Sequence, residues 1–243
     1  MDSIVREVRR KLRENADEEK RLGEQAYFKE GVVCLGVGMA MVHRIAKERF
    51  ACLKDSPKGR IFGLCEELWC AGGLEETIVA CDWSYFVRRQ YVPGDIQVFA
   101  EWVGRHVNNW ASCDTLCNHS VGALVEMHPE RVADLKRWAR SKNRWLRRAA
   151  AVSLVVPAKK GKFLADVLEI ASILLADPDD LVQKGYGWML KVASQARQKE
   201  IFSYVLRHKS IMPRTALRYA IEKMPADMKR QAMAKGMQGQ VLK

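Results

Sequence analysis

Helical periodicity is the feature that most restricts how this chain can fold. Apolar residues recur every three or four positions through most of the sequence, as in the run 164–175, and this is the spacing of one helix face. Several prolines stand where a first-turn proline would start a helix: Pro129, Pro178, Pro213 and Pro225. The segment 77–87 could form a strand, but the acidic pair Glu75-Glu76 before it favours a helix start. We therefore predict an all-α fold.

Three segments of the C-terminal half align without gaps and indicate an internal repeat. They are 146–149, 182–185 and 212–215, and their cations lie 36 and then 30 residues apart. Each follows an apolar helix that ends in a short polar turn. This pattern predicts a HEAT-like helical-hairpin solenoid whose second helices line a concave surface; a helical bundle is the alternative. Because no Gly/Ser linker interrupts the chain, we expect a single repeat domain over residues 1–243.

The charge of the chain is concentrated in its C-terminal half. Residues 1–128 hold 17 Lys and Arg against 19 Asp and Glu, whereas residues 129–243 hold 24 against 10, and the net charge is +12. This asymmetry indicates a polyanionic partner bound by the C-terminal half. A basic surface that serves only solubility is the alternative.

Basic side chains recur at helix spacing in the repeated segments. They form three stripes: Arg144, Arg147 and Arg148; Lys184 and Lys191 around Trp188; and Arg214 with Arg218. Stacked repeats would align these stripes into a basic, concave strip that matches a phosphate backbone. Trp145 points away from the first stripe and is predicted to be a core residue. Solvation of an ordinary helix face is the alternative for any one of these cations.

Trp110 and Asp114 lie four residues apart and so share one helix face. A Trp on a helix is more often a core residue, and a lone Asp is usually a surface charge. The helix around them is nevertheless unusually polar, with Asn108, Asn109, Ser112, Thr115, Asn118 and His119. We interpret it as the wall of a site. One acid, aromatic rings and a basic surface suit an enzyme that handles a cationic group on a polyanion, which we expect to be DNA.

Short motifs in a fixed order resemble one known family. They are Ala26-Tyr27, Leu35-Gly36-Val37, Leu68-Trp69, the W-x-x-x-D of Trp110 and Asp114, N-x-W-L-x-R-A-A over 143–150, Q-K-x-x-G-W over 183–188, and Arg214 with Ala220-Ile221. Their order and spacing are similar to those of the AlkD-type DNA alkylation repair proteins, which are HEAT-like-repeat DNA glycosylases. Each motif is short, but together they cover nearly the whole chain.

The resemblance implies a role for each matching residue. Asp114 would be the catalytic carboxylate, Trp110 and Trp188 the aromatic walls around the damaged nucleoside, Arg148 a backbone-binding cation and Tyr27 an N-terminal DNA contact. Members of the family excise positively charged bases such as 3-methyladenine and 7-methylguanine without extruding them, unlike the base-flipping glycosylases. The partner would be duplex DNA containing alkylated bases.

The chemistry of a cationic lesion agrees with a single carboxylate. An alkylated base that carries a positive charge leaves as a neutral molecule, so no general acid is needed. One carboxylate can stabilise the oxocarbenium-like sugar and position water, whereas ordinary glycosidases need two. Indole faces attract cations by about 0.5–2 kcal/mol each. No Schiff-base lysine stands out, so we expect no lyase activity.

The segment after Leu35-Gly36-Val37 departs from the family pattern. In the family this segment usually continues toward a Pro and then an Arg. This chain reads G-M-A-M-V-H-R over 38–44, so the Pro is absent and the cation is either shifted or replaced by His43. The region 72–93 also matches loosely. These departures concern how the N-terminal helices contact the strand opposite the lesion. The pair Gly36 and Gly38 we interpret as a close helix contact.

Two other functions use the same features. One is a non-catalytic HEAT-like protein that recognises distorted or branched DNA by shape, with Trp110 as a packing residue. The other is a protein-interaction scaffold, which predicts weak DNA affinity that is insensitive to salt.

Several classes of protein are disfavoured by what the sequence lacks. The longest apolar run, 32–42, is too short to span a bilayer, and the polar N-terminus does not resemble a secretory signal. The seven scattered Cys have no zinc spacing and are expected to be reduced thiols, mostly core fillers. We find no P-loop and no dinucleotide fingerprint. We therefore expect a monomeric cytoplasmic protein, nucleoid-associated in a prokaryote, without cofactor or metal.

Overall fold

The computed structural model describes residues 2–234, and every regular element in that range is helical apart from one isolated parallel bridge between Val33 and Gly73. The predicted all-α fold is confirmed. Residues 77–86 lie in a helix that spans Leu74–Phe86, with Glu75 and Glu76 in its first turn as expected. The chain divides after Arg131 into an N-terminal and a C-terminal unit, each with its own compact set of contacts.

The N-terminal unit has eight α-helices within residues 2–131. They are α1 (Ser3–Glu14), α2 (Glu18–Tyr27), α3 (Met39–Phe50), α4 (Lys58–Ala71), α5 (Leu74–Phe86), α6 (Asp95–Arg105), α7 (Trp110–Leu116) and α8 (Gly122–Met127). Single 3-10 turns lie at Ala51–Leu53, Arg88–Gln90 and Pro129–Arg131. A π-helical turn, Cys117–Val121, joins α7 to α8 without a break.

Helix α5 is at the centre of the N-terminal unit. It packs against α3, α4 and α7, and nine of its thirteen residues are buried. The largest side chains of this core are Trp69, Trp83 and Trp102, all nearly inaccessible to solvent. The Trp83 Nε1–H donates to the Ala46 carbonyl oxygen at 2.9 Å, so this buried indole keeps a hydrogen bond. The helix that carries Trp110 and Asp114 therefore rests on a rigid neighbour.

The C-terminal unit has eight further α-helices within residues 132–234. They are α9 (Val132–Trp138), α10 (Arg144–Val152), α11 (Val155–Lys159), α12 (Leu164–Ile173), α13 (Asp180–Ala193), α14 (Gln198–His208), α15 (Arg214–Ile221) and α16 (Ala226–Met233). The three aligned segments fall at or near the starts of α10, α13 and α15. These helices pack in succession, α10 on α13 and α13 on α15. Such stacked hairpins are consistent with a helical-repeat solenoid; the single domain over 1–243 stays a prediction.

The capping residues of three helices lie one or two positions away from the residues that the sequence suggests. The sequence suggests Ser3, Ser141 and Asp177 as caps or turn residues. The capping side chains are Asp2, Asn143 and Asp179, so the cap alternative is wrong, and the turn alternative holds for Ser141 and Asp177. Ser141 and Asp177 instead accept hydrogen bonds from the backbone nitrogens of Asn143 and Asp179, two residues on. Where several short polar residues adjoin, the pattern cannot choose among them, because each of them can cap a helix.

All seven cysteines are free thiols. Five of them are buried, and Cys52 and Cys70 are exposed. The interpretation of these residues as core fillers is confirmed for the buried five. No helix in residues 2–234 combines the length and apolar character needed to cross a membrane.

Candidate functional site

Helix α7 presents Trp110 and Asp114 one turn apart, both half-buried. Its start is fixed by Asn109, whose side-chain oxygen accepts a hydrogen bond from the Ser112 backbone nitrogen at 2.9 Å. Asn109 is only 2% exposed. A buried cap of this kind holds the first turn, and therefore the Trp110 indole, in one place.

Part of the polarity of this helix has a structural cause. The Ser112 hydroxyl donates to the Asn109 carbonyl, and the Thr115 hydroxyl donates to the Ala111 carbonyl. Both hydroxyls thus hydrogen-bond to backbone carbonyls of their own helix segment. The interpretation of the whole polar stretch as a site wall is therefore too broad, and Trp110 and Asp114 remain its candidate residues.

Trp110 lies in a cluster with two aromatic rings at the C-terminal end of α2. Its indole stacks on Phe28, with centroids 5.1 Å apart and planes 23° apart, and meets Tyr27 edge-on at 6.0 Å. Tyr27 is 69% exposed and Phe28 only 6%. The structure thus brings Tyr27 to Trp110 across more than eighty residues of sequence. The sequence analysis assigned no role to Phe28, although its position directly after Tyr27 could have indicated one.

A second polar cluster lies on α3, on α5 and in the π-helical turn after α7. The His43 Nδ1 lies 2.7 Å from an Asp82 carboxylate oxygen, and burial raises the pKa of Asp82 despite this partner. His119, in the π-helical turn, packs its ring 5.2 Å from that of Tyr85. Part of the His119 side chain is exposed to solvent. Partial burial of the imidazole ring nevertheless lowers the pKa of His119. Asp82 belongs to none of the sequence motifs, so the sequence did not indicate a role for it.

Trp188 lies on α13 in the C-terminal unit and is half-buried. The helix around it approaches its neighbours closely at two glycines. A Cβ on Gly187 would lie 2.7 Å from the Tyr219 Cβ of α15, and one on Gly185 would lie 3.3 Å from the Arg148 Cγ of α10. The Q-K-x-x-G-W motif therefore includes a packing requirement beside its tryptophan. The joint site of Trp110, Asp114 and Trp188 stays a prediction, because these residues belong to different units.

The predicted basic residues of α10 meet carboxylates in the turn before α13. Arg144 pairs with Asp179 at 2.8 Å and Arg147 with Asp177 at 2.6 Å. Lys184 pairs with Asp180 at 2.6 Å. We call this D-P-D-D segment, residues 177–180, the acidic turn. It explains how two consecutive basic stripes are held at fixed positions.

The remaining predicted cations differ in their surroundings. Arg148 is 5% exposed and donates to the Leu181 carbonyl oxygen, so its guanidinium links α10 to α13. Lys191 pairs with Glu222 at 3.0 Å and lies over the Tyr219 ring. Arg214 and Arg218 are exposed on α15. Trp145 is buried, 8% exposed, as predicted for a core residue.

The chain is similar to a known protein family and to a solved structure. The family model described as DNA alkylation repair enzyme matches residues 8–224. A solved structure, a predicted DNA alkylation repair enzyme from Enterococcus faecalis, superposes with a TM-score of 0.79 at 17% identity, covering 87% of this chain and 98% of that one. No curated protein matches the chain.

Proposed function

This chain belongs to the DNA alkylation repair enzyme family, and on that premise we propose that it is a monofunctional DNA N-glycosylase that excises positively charged alkylpurines from duplex DNA. The substrates are lesions such as 3-methyladenine and 7-methylguanine, and the protein acts as a monomer in the cytoplasm. The observation that carries the proposal is a half-buried carboxylate, Asp114, one helical turn from a half-buried indole, Trp110, which packs on Tyr27 and Phe28.

The reaction needs little from the protein beyond charge and position. The alkylated base already carries a positive charge, so cleavage of the N-glycosyl bond releases it as a neutral molecule. Positive charge then develops on the sugar, and the Asp114 carboxylate stabilises it and accepts a hydrogen bond from the attacking water. A single acid therefore suffices for a cationic leaving group and serves poorly for a neutral base such as uracil.

Aromatic rings supply the second part of the proposed site. Trp110 is proposed as one aromatic wall against the cationic nucleoside, where a ring face contributes about 0.5–2 kcal/mol, and Trp188 of the C-terminal unit stays the predicted second wall. Tyr27 is the exposed member of the Trp110 cluster and is proposed to contact DNA. Phe28 lies buried behind Trp110 and sets the plane of the indole.

DNA binding is assigned to the cations of the C-terminal unit. The proposed contacts are Arg144, Arg147, Lys184, Lys191, Arg214 and Arg218, whereas the buried Arg148, which bonds to the Leu181 carbonyl, is proposed to hold α10 and α13 in place behind them. Arg214 and Arg218 are exposed and are proposed to meet phosphates directly. Arg144, Arg147 and Lys184 are each paired with one carboxylate of the acidic turn, so they are proposed to bind phosphates only by exchanging that carboxylate.

The proposal is tested by release of base from duplex containing 7-methylguanine. Asp114→Asn keeps the size of the side chain and removes its charge, so we expect the single-turnover rate to fall by about 10²–10³-fold. Asp55→Asn, a change at an exposed turn residue of the same unit, is the matched control and should leave the rate unchanged.

Two outcomes contradict the assignment. Release by Asp114→Asn at the wild-type rate removes Asp114 from the chemistry. Tight duplex binding by the wild-type protein with no release of either methylated base favours the non-catalytic DNA-binding alternative. Uracil-containing duplex should yield no free base with any variant.

A further inference from the structure

Three metal-ligating side chains of different types meet on the α4–α6 side of the N-terminal unit. Glu66 and Cys70 are four residues apart on α4, and His106 caps the end of α6. Their ligand atoms all lie within 4.8 Å of one another. One Glu66 oxygen is 2.9 Å from the His106 Nε2 and 3.9 Å from the Cys70 Sγ. A carboxylate oxygen, an imidazole nitrogen and a thiol sulfur thus converge on one point.

Neighbouring side chains hold two of these groups in orientation. The Trp102 Nε1–H donates to the other Glu66 oxygen at 2.5 Å. The Trp69 indole, almost fully buried, lies parallel to the His106 ring at 6.3 Å and 19°. The Trp102 hydrogen bond to Glu66 is of the kind that orients ligating groups in metal sites of proteins. An ordinary surface ion pair has no such backing.

We infer that Glu66, Cys70 and His106 form a binding site for a divalent transition metal ion of the zinc class. In a tetrahedral zinc site with bonds of about 2.0–2.3 Å, neighbouring ligand atoms lie about 3.3–3.6 Å apart. The distances of 2.9 and 3.9 Å lie on either side of that range, and all three ligand atoms lie within 4.8 Å of one another, so the groups close on one ion by shifts of at most about 1.3 Å. Sulfur and imidazole nitrogen select zinc-class ions over Mg²⁺ and Ca²⁺. Three protein ligands leave the fourth position to water.

A cavity borders two of the three ligands, Glu66 and Cys70. A cavity of about 430 Å³ is lined by Gly63, Glu66 and Cys70 together with Glu67 and Arg9. The Arg9 guanidinium is neutralised by Glu76 at 2.9 Å. Glu66 and Glu67 are the acidic residues that line this cavity.

Occupancy of the site would act on the structure of the unit. An ion held by α4 and by the end of α6 cross-links two helices through ligands as far as 40 residues apart in sequence. His106 precedes the α7 cap, Asn109, by three residues, so the cross-link also limits movement of the segment that leads into α7. This inference is independent of the proposed function and departs from the expectation of no metal that the sequence motifs support.

The test is titration of the tag-free, full-length, reduced protein with Co²⁺, an optical stand-in for Zn²⁺. We expect one equivalent to give a sulfur-to-cobalt charge-transfer absorption that Zn²⁺ abolishes. Cys70→Ser should lose this absorption, and the matched control Cys52→Ser, which removes the other exposed thiol, should keep it. His106→Gln should weaken Co²⁺ binding by at least about tenfold.

Any of three results overturns the site: no charge-transfer absorption, an absorption retained by Cys70→Ser, or equal Co²⁺ affinity in His106→Gln. A measurement on the unmutated protein covers the case in which a variant fails to fold. Zn²⁺ should slow alkylation of Cys70, mapped by peptide mass, by at least about tenfold and leave Cys52 unaffected. Equal protection of both thiols, or none, also overturns the site.

Discussion

Gly36 illustrates a residue whose identity is fixed by backbone geometry and by a close neighbour together. Its φ is +75°, and a Cβ would overlap the Asp17 carbonyl oxygen and lie 2.5 Å from the Arg21 backbone nitrogen. The flanking nitrogens of Leu35 and Val37 donate to one oxygen of the buried Glu75, so the loop cannot move aside. The interpretation of Gly36 as a close helix contact is confirmed, whereas Gly38 has open space around it.

This contrast predicts opposite results for two similar variants. Gly36→Ala should lower the free energy of unfolding by about 2–5 kcal/mol, the sum of left-handed backbone strain and overpacking. Gly38→Ala should change it by less than about 1 kcal/mol, since nothing lies near the added methyl group. Urea denaturation of both variants measures the difference. Equal midpoints would contradict this account of the loop.

His119 predicts a dependence of stability on pH. Burial lowers its pKa in the folded protein, and the Asp82 and His43 side chains act on it in opposite directions. As pH falls through about 6.5, the ordinary histidine value, the unfolded chain takes up a proton that the folded chain resists. The free energy of unfolding should therefore decrease between about pH 7 and 5.5. His119→Asn should make this decrease shallower; an unchanged slope would exclude His119 as its source.

At the scale of elements, α7 depends on its buried cap. Asn109→Ala removes the acceptor for the Ser112 backbone nitrogen and leaves that donor without its partner. We expect a loss of about 1–2 kcal/mol in the free energy of unfolding. Asn143→Ala removes the corresponding cap of α10 in the other unit and is the comparison. If Asn109→Ala also slows base release while Asn143→Ala does not, the cap positions Trp110.

The helices of this protein could be predicted from sequence, because helix periodicity and first-turn prolines are local signals. α5 and the repeat of α10, α13 and α15 follow from such patterns. The partners of the cations could not be predicted in the same way. Asp177 and Asp179 meet Arg147 and Arg144 across thirty or more residues, and no spacing rule encodes that meeting. The same is true of Phe28 on Trp110 and of His106 on Glu66.

For the whole molecule, the charge of +12 predicts salt-dependent DNA binding. Each phosphate contact adds about 0.9 to the slope of log affinity against log salt concentration. Replacing both exposed cations of α15, in Arg214→Ala with Arg218→Ala, should therefore reduce the slope by about 1–2. Lys199→Ala, an exposed cation on α14, should leave it unchanged. Fluorescence anisotropy with a labelled duplex measures all three slopes, and no change in the double variant would remove α15 from the interface.

The acidic turn has a consequence for selectivity. By holding Arg144, Arg147 and Lys184, it equips the chain with counterions of its own, in fixed number and at fixed positions. A generic polyanion that approaches these groups exchanges one carboxylate for another anion and gains little from doing so. A ligand therefore binds tightly only if its shape also allows it to make further favourable contacts with the protein. A protein arranged in this way discriminates among anions by fit and not by charge density alone.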